Sequence, residues 1–315
     1  MSQVGFVYIY IPSNKDEHIY NLAIISQAVS KVSRGIYFIL KGDAKNTTVE
    51  LIAQYYGEIA SSSCNLKRRS FIVLPFDQDL LPDYINYLSE TTDQNHPSEY
   101  ILLEHNNQFP SEFGLKKVPL TISPEQMEEA SKIEKEHYAF KPIDNNKRNT
   151  YGKFKNVCMG GTFDHVHLGH YLCFSQIAMI FNGKGSIIVG ISDGDLLKDK
   201  TDKELLQSFD KRKVNFEHCM IQIHPQILLP SKKHKTEYTF DIMQLFEPYG
   251  PTVTYEDIEA LVVSEETEKG GHSVNKKRVE KGMKEVELFV APVIRPRGSN
   301  CKLSSSQIRQ ELSKK

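Results

Sequence analysis

The chain has 315 residues and a mass of 36.0 kDa, enough for one large or two ordinary domains, each able to bury a core without staples. Thirty-nine basic against 40 acidic residues leave a formal charge of −1, which excludes the broad positive field of a nucleic-acid or membrane-surface binder. Through residue 150 there are 15 basic and 19 acidic residues, net −4, and the remainder is net +3, a balance that suits an anionic small molecule in the second half.

Val4 to Ile11 opens the chain as a strand-like run without the basic-then-apolar form of a secretory signal. The runs Gly5 to Ile11, Gly35 to Leu40, Phe71 to Phe76 and Tyr100 to Leu103 predict buried strands, with helices over Ile19 to Val29 and Leu80 to Leu88. A small α/β sheet with helical crossovers is expected over residues 4–104. Asp77, Asp79 and Asp83 cluster at a strand exit, where turn acids or a helix cap explain them better than a divalent-metal site. After residue 105 the apolar runs fade. Asn106-Asn107-Gln108 and Asn145-Asn146-Lys147-Arg148-Asn149 are polar clusters flanking a charged helix predicted over Ser123 to Glu136, and the second cluster reads as a joint. The expected division is residues 1–150, an N-terminal α/β region of unassigned role, and residues 151–315.

The second part is more regular. Asn156 to Met159 predicts a strand, His167 to Phe181 a helix, and Ser186 to Ile191 a buried strand. A Lys-rich segment, 198–203, precedes a helix carrying Leu205, Phe209, Phe216 and Met220. Tyr238, Phe240 and Ile242 alternate as strand residues do, and Ala260 to Val263 and Val286 to Val290 supply further strands. Strands alternating with helices imply a doubly wound, mostly parallel, Rossmann-like sheet whose ligand crevice opens beyond the strands' carboxyl ends. Cys64, Cys158, Cys173, Cys219 and Cys301 are scattered without metal-ligand spacing, which fits free thiols in a cytoplasmic or nuclear setting. No apolar stretch approaches membrane-spanning length, and a soluble protein is expected.

Chemistry concentrates in Gly160-Gly161-Thr162-Phe163-Asp164-His165-Val166-His167-Leu168-Gly169-His170. Strand, glycine turn and helix start converge there, so backbone N–H groups can approach an anion, Thr162 can donate a hydroxyl, and His167 and His170 share one side of the positive helix end. Gly169 removes a side chain where a nucleotide would approach. Zinc held by His165, His167 and His170, joined by His272, is the competing reading.

These residues resemble the HxGH nucleotidyltransferase superfamily and, within it, the eukaryotic-type pantetheine-phosphate adenylyltransferase family. The motif stands as His167-Leu168-Gly169-His170. The resemblance extends to Gly190-Ile191-Ser192-Asp193, the Leu196-Leu197-Lys198 loop, Gly250-Pro251-Thr252 and Glu259 to Thr267. It ends at Leu303-Ser304-Ser305-Ser306-Gln307-Ile308-Arg309, close to the family's ISSTxIR signature with Leu303 and Ser306 as departures.

The resemblance implies adenylyl transfer from ATP to 4'-phosphopantetheine in coenzyme A biosynthesis, with Mg2+ accompanying ATP and other enzymes of that route as partners. It implies contact of His170 with the α-phosphate beside His167, and orientation of the acceptor phosphate by Thr162 and Lys198 or Lys200, of which Lys198 is favoured. The nucleotide would be held by Gly160, Gly161, Phe163, Asp164, Glu265, Asn275 and Arg278 and, at the β- and γ-phosphates, by Ser304, Ser305, Ser306 and Arg309. A relative using CTP or another acceptor, and a catalytically silent nucleotide-binding or assembly protein, are the alternatives. The G-x-G-x-x-G fingerprint of a dinucleotide-binding dehydrogenase and the G-x-x-x-x-G-K-[ST] P-loop are both missing. Phosphorylation of dephospho-CoA is therefore expected from a separate protein.

Overall fold

Buried runs of branched and aromatic residues build two parallel sheets of five strands each. The computed structural model describes residues 3–62, 70–76, 80–91, 99–105, 115–142, 150–225, 237–299 and 302–314. Asp77, Asp79, Cys64, Cys301 and both Asn-rich clusters lie outside them. Asp83 sits in the first turn of a helix, as a turn acid.

The first sheet contains β1 (Gln3–Tyr10), β2 (Gly35–Lys41), β3 (Ser70–Val73), β4 (Glu99–Glu104) and β5 (Lys116–Pro119), in the spatial order β3-β2-β1-β4-β5. Its helices are α1 (Lys15–Ser30), α2 (Val49–Ser62), α3 (Leu81–Thr91) and α4 (Pro124–Glu136). The last is closed by a capping box between Ser123 and Gln126. Two of these elements escape the sequence patterns. In α2, Gly57 interrupts the helical pattern, yet a Cβ there would meet the Tyr138 hydroxyl at 2.6 Å. In β5, an edge strand, Lys116, Lys117 and Pro119 are exposed, the composition that keeps an edge from pairing with another chain.

The second sheet contains β6 (Phe154–Gly161), β7 (Phe181–Ser192), β8 (Glu237–Leu245), β9 (Ala260–Ser264) and β10 (Glu287–Ala291), in the order β10-β9-β6-β7-β8. Within each sheet the first strand is central and the chain winds outward to both sides of it. The doubly wound arrangement thus occurs twice, with the switch point beside β1 in one sheet and beside β6 in the other. The helices of the second half are α5 (Leu168–Ile180), α6 (Phe209–Ile223), α7 (Glu268–Glu280) and α8 (Ser305–Ser313). Leu205, expected inside α6, lies instead in a short 3-10 turn, because Ser208 caps the helix by accepting from Lys211 N.

Helix α5 is apolar on every side, and ten of its 13 residues are buried, the pattern of a helix covered all round. One side packs on its own sheet and the other on the N-terminal half. Tyr171 lies 4.6 Å from Phe71 between ring centroids, and Tyr56 of α2 is at 6.3 Å. Leu74 N donates to Ile223 O at 2.7 Å, and the Tyr84 hydroxyl to Gln222 O at 2.6 Å. The two sheets are separate, but one continuous apolar core runs from Val4 to Ile294. No helix among the described residues is long and apolar enough to cross a membrane.

Candidate active site

The glycine-rich motif forms the turn between β6 and α5, at the carboxyl edge of the sheet. Two non-glycine residues there adopt left-handed backbone, Phe163 with φ 50° and His165 with φ 42°, a conformation that persists only where surrounding contacts enforce it. The contacts are dense. His165 N donates to Gln207 Oε1 at 3.0 Å, and Gln207 N donates to Asp164 Oδ1 at 2.9 Å. Arg212 Nη1 donates to Thr162 O at 3.0 Å and Ser192 O at 2.7 Å, while its Nε donates to Gln207 O at 3.0 Å. The Phe163 ring packs into the core against Phe174 and Phe216.

His167 is the N-cap of α5 and His170 its third residue. Gly169 N donates to His167 Nδ1 at 3.1 Å, and His167 N donates to His170 Nδ1 at 3.3 Å. Because both Nδ1 atoms accept, both protons reside on Nε2, and each ring presents an Nε2–H donor. The ring centroids are 4.1 Å apart. Burial brings the His170 pKa down to about 4, against the opposing pull of Asp164, so the ring is neutral at pH 7. The glycine between the histidines has a specific cause: a Cβ at residue 169 would stand 3.0 Å from His167 Cε1. Gly169 leaves room for the His167 ring.

The helix that carries the expected serines is α8. Ser304 caps it by accepting from Gln307 N at 3.2 Å. Ser305 Oγ donates to Asp164 O at 2.7 Å, and Arg309 Nη1 donates to Asp164 Oδ2 at 2.6 Å, so the start of α8 is tied directly to the histidine turn. Arg309 Nε donates to Thr201 O at 2.9 Å, which also pins the loop carrying Lys198 and Lys200. Both lysines lie beyond the 3-10 turn Gly194–Leu197 at the exit of β7. Gly160, Gly161 and Thr162 line the same edge, as does Glu265 just beyond β9, whose Oε2 accepts from Val293 N at 3.2 Å.

Several expected nucleotide contacts are instead internal. Arg309 is 1% exposed, and its N–H groups go to Asp164, Thr201 and Ser306 Oγ. Asp164 is fully buried with both oxygens engaged, so it holds the turn and does not face a ligand. Arg278, expected on phosphate, is also fully buried. Its guanidinium donates to Lys284 O and Thr252 O at 2.7 Å, to Tyr255 O at 2.9 Å and to Glu256 O at 3.0 Å, leaving no face for an anion. Asn275 is paired twice with the backbone of Val286, at 2.9 Å each way, and pins the approach to β10. Phe163 contributes its backbone to the turn and its ring to the core.

Gln207 and Arg212, which hold the turn, carry no motif. Arg212 sits in a charged first helical turn beside Asp210, Lys211 and Lys213, and only its burial, 1% exposed, sets it apart. Of the histidines in the zinc alternative, His165 has its Nε2 directed at Leu205 O, 2.8 Å away. Among the described residues no three His, Cys, Asp or Glu side chains converge on a point where a metal ion would sit.

A cytidylyltransferase-like family model matches residues 158–311. The chain is 37% identical over 163 residues to the phosphopantetheine adenylyltransferase of Saccharomyces cerevisiae, covering 51% of this chain and 49% of that protein. It is 33% identical over 163 residues to an uncharacterized protein of Schizosaccharomyces pombe, covering 50% and 48%. The chain therefore spans about half the length of these two fungal relatives. It is also 34% identical over 160 residues to the phosphopantetheine adenylyltransferase of Pyrococcus furiosus, covering 51% of this chain and 90% of that protein. By this near-complete match to the archaeal protein, and with the histidine turn and the Ser304–Arg309 helix both inside the matched family model, the chain belongs to the phosphopantetheine adenylyltransferase family of cytidylyltransferase-like nucleotidyltransferases.

Proposed function

We propose that the protein transfers the adenylyl group of ATP to 4'-phosphopantetheine, giving 3'-dephospho-CoA and pyrophosphate. The observation that carries this reading is the tie between the two phosphate elements: Asp164 receives Arg309 and Ser305 from α8 while it holds the turn that presents His167 and His170. The Nε2–H groups of His167 and His170 at one helix start and the capped N-terminus of a second helix suit a polyphosphate laid between them.

In the reaction an oxygen of the acceptor phosphate attacks the α-phosphorus of ATP. The bond from that phosphorus to the bridging oxygen breaks, and the electron pair leaves with pyrophosphate. The acceptor is already ionised, so no base need remove a proton, and catalysis reduces to aligning two anions and neutralising developing charge. His170 Nε2–H is assigned to the α-phosphate, and His167 lies beside it toward the leaving group. Thr162 with Lys198 or Lys200 holds the acceptor phosphate, and the Gly160 and Gly161 backbone lets the nucleotide approach. The first N–H groups of α8, at Ser305 and Ser306, receive the β- and γ-phosphates. Mg2+ accompanying ATP would offset the charge of its phosphates, and no side chain is assigned to it.

Incubation with ATP, Mg2+ and 4'-phosphopantetheine tests the assignment, with dephospho-CoA and pyrophosphate as the readouts. Equal amounts of both products are expected. Preferential turnover of CTP, or no product from folded protein, would overturn it.

A further inference from the structure

The N-terminal half repeats the doubly wound topology, but its helix start has no phosphate chemistry. Where α5 has His167 as N-cap and His170 three residues on, α1 has Asn14 and Glu17, whose carboxylate already accepts from Ser13 N at 2.7 Å. A carboxylate at that place repels phosphate.

What the half does instead is visible at α2. Glu58, fully buried in that helix, faces Arg297 of the connection between β10 and α8: Nε to Oε2 is 2.9 Å and Nη2 to Oε1 is 3.0 Å. Arg297 N donates to Ser61 Oγ at 2.7 Å, and Ser62 Oγ donates to Glu58 Oε1 at 2.8 Å. Residues 292–304 contain no helix or strand among those described. Their course is held by Glu265 on Val293 N, by Glu58 and Ser61 on Arg297, and by the ion pair of Lys302 with Glu266. Lys302 leads straight into Ser304, the cap of α8. Tyr56, two residues before Glu58 on α2, lies against Tyr171, the residue after His170. One helix of the N-terminal half therefore stands behind both phosphate elements.

We infer that the N-terminal half positions the nucleotide side of the site through α2, with Glu58, acting through Arg297, as the positioning residue for the start of α8. The inference rests on the assignment of α8 to the β- and γ-phosphates. The archaeal relative is matched over 90% of its length by only 160 residues of this chain, too few to contain both sheets, so the brace is an addition to the shared fold. Burial raises the Glu58 pKa, with Ser62 and Arg297 opposing the rise, and a buried carboxylate of this kind is held in place by its partner.

The test is equilibrium binding of Mg2+-ATP to the full chain, compared with the KM for each substrate. Glu58→Gln keeps the shape and removes the charge. It is expected to weaken ATP binding and raise the KM for ATP by about tenfold, less than the roughly 100-fold that a misplacement of about 1 Å can cost, while the KM for 4'-phosphopantetheine stays within about twofold. Arg297→Lys, which keeps the charge but not the two-point contact, should fall between. Glu134→Gln is the control: this carboxylate is also buried in the N-terminal half, but its partners are Lys15 at 2.8 Å and Phe140 N at 3.0 Å, neither of them in the connection to α8. Because neither partner contacts Arg297 or α8, the control should lower stability without moving ATP affinity. Unchanged ATP affinity in Glu58→Gln, or an equal loss in Glu134→Gln, would overturn the inference. Wild-type protein that binds ATP but makes no dephospho-CoA would count against the acceptor alone, and the binding comparison would still decide the role of Glu58.

Discussion

Arg309→Met removes one half of a buried ion pair while keeping most of the side-chain volume. Asp164 and Arg309 are 0% and 1% exposed, with Nη1 and Oδ2 2.6 Å apart. After the substitution the Asp164 carboxylate keeps Gln207 N on Oδ1 but has no cation for Oδ2. Breaking a buried pair from one side costs about 3–5 kcal/mol, because the remaining charge is desolvated without compensation. At about 2–4 °C per kcal/mol, the scale for domains of roughly 200 residues, the melting temperature should fall by roughly 10 °C. The companion variant, Asp164→Asn with Arg309→Met, removes the stranded charge as well and should recover most of that stability. It should not recover nucleotide affinity, because the Arg309 tie between α8 and the histidine turn is still missing and only Ser305 Oγ on Asp164 O remains. Urea unfolding followed by circular dichroism gives the stabilities, and the KM for ATP gives the second readout. A loss below about 1 kcal/mol in Arg309→Met, the size of an exposed pair, would refute the reasoning. So would a double variant no more stable than the single one.

Two further outcomes concern Arg278 and the histidines. Arg278→Lys cannot reach the carbonyls of residues 252, 255, 256 and 284 together, so it should cost about 2–4 kcal/mol through unsatisfied buried acceptors and leave the KM for ATP within about twofold; a raised KM with unchanged stability would restore the phosphate role. His170 and His224 have pKa values lowered to about 4 by burial. From about pH 6.5 down to about 4 the unfolded chain takes up protons at these positions and the folded chain does not, so their stabilising effect is present above that window and lost on acidification through it. The slope approaches about 1.4 kcal/mol per pH unit for each histidine. Urea midpoints between pH 7 and pH 5 should therefore fall, and less steeply in His224→Gln; equal slopes would contradict the burial argument.

Strands and the histidine turn were legible because their information is local. A run such as Val157 to Met159 must be buried, and glycine followed by paired histidines at a helix start has few other uses. Arg278, Arg309 and Asp164 were not legible in the same way. Each belongs to a segment that resembles a nucleotide-binding one, but whether a guanidinium points at a ligand or at other parts of the chain depends on residues 20 to 145 positions away, as the spacing of Arg278 from Ile258 and of Arg309 from Asp164 illustrates. Gln207 and Arg212 act through the same kind of distant contact. Helix α2 was hidden by Gly57, whose reason is Tyr138, just past the end of a different helix. The packing of the two halves did leave a local trace: α5 is apolar all round, which a helix lying on a single sheet does not need.

Transfer of the α-phosphate tests the central claim most directly. With ATP labelled at the α-phosphorus, Mg2+ and 4'-phosphopantetheine, the label should appear in dephospho-CoA with an equal amount of unlabelled pyrophosphate, and His170→Ala, still folded, should lose most of this rate. Label that stays in ATP, or an undiminished rate in His170→Ala, would contradict the account.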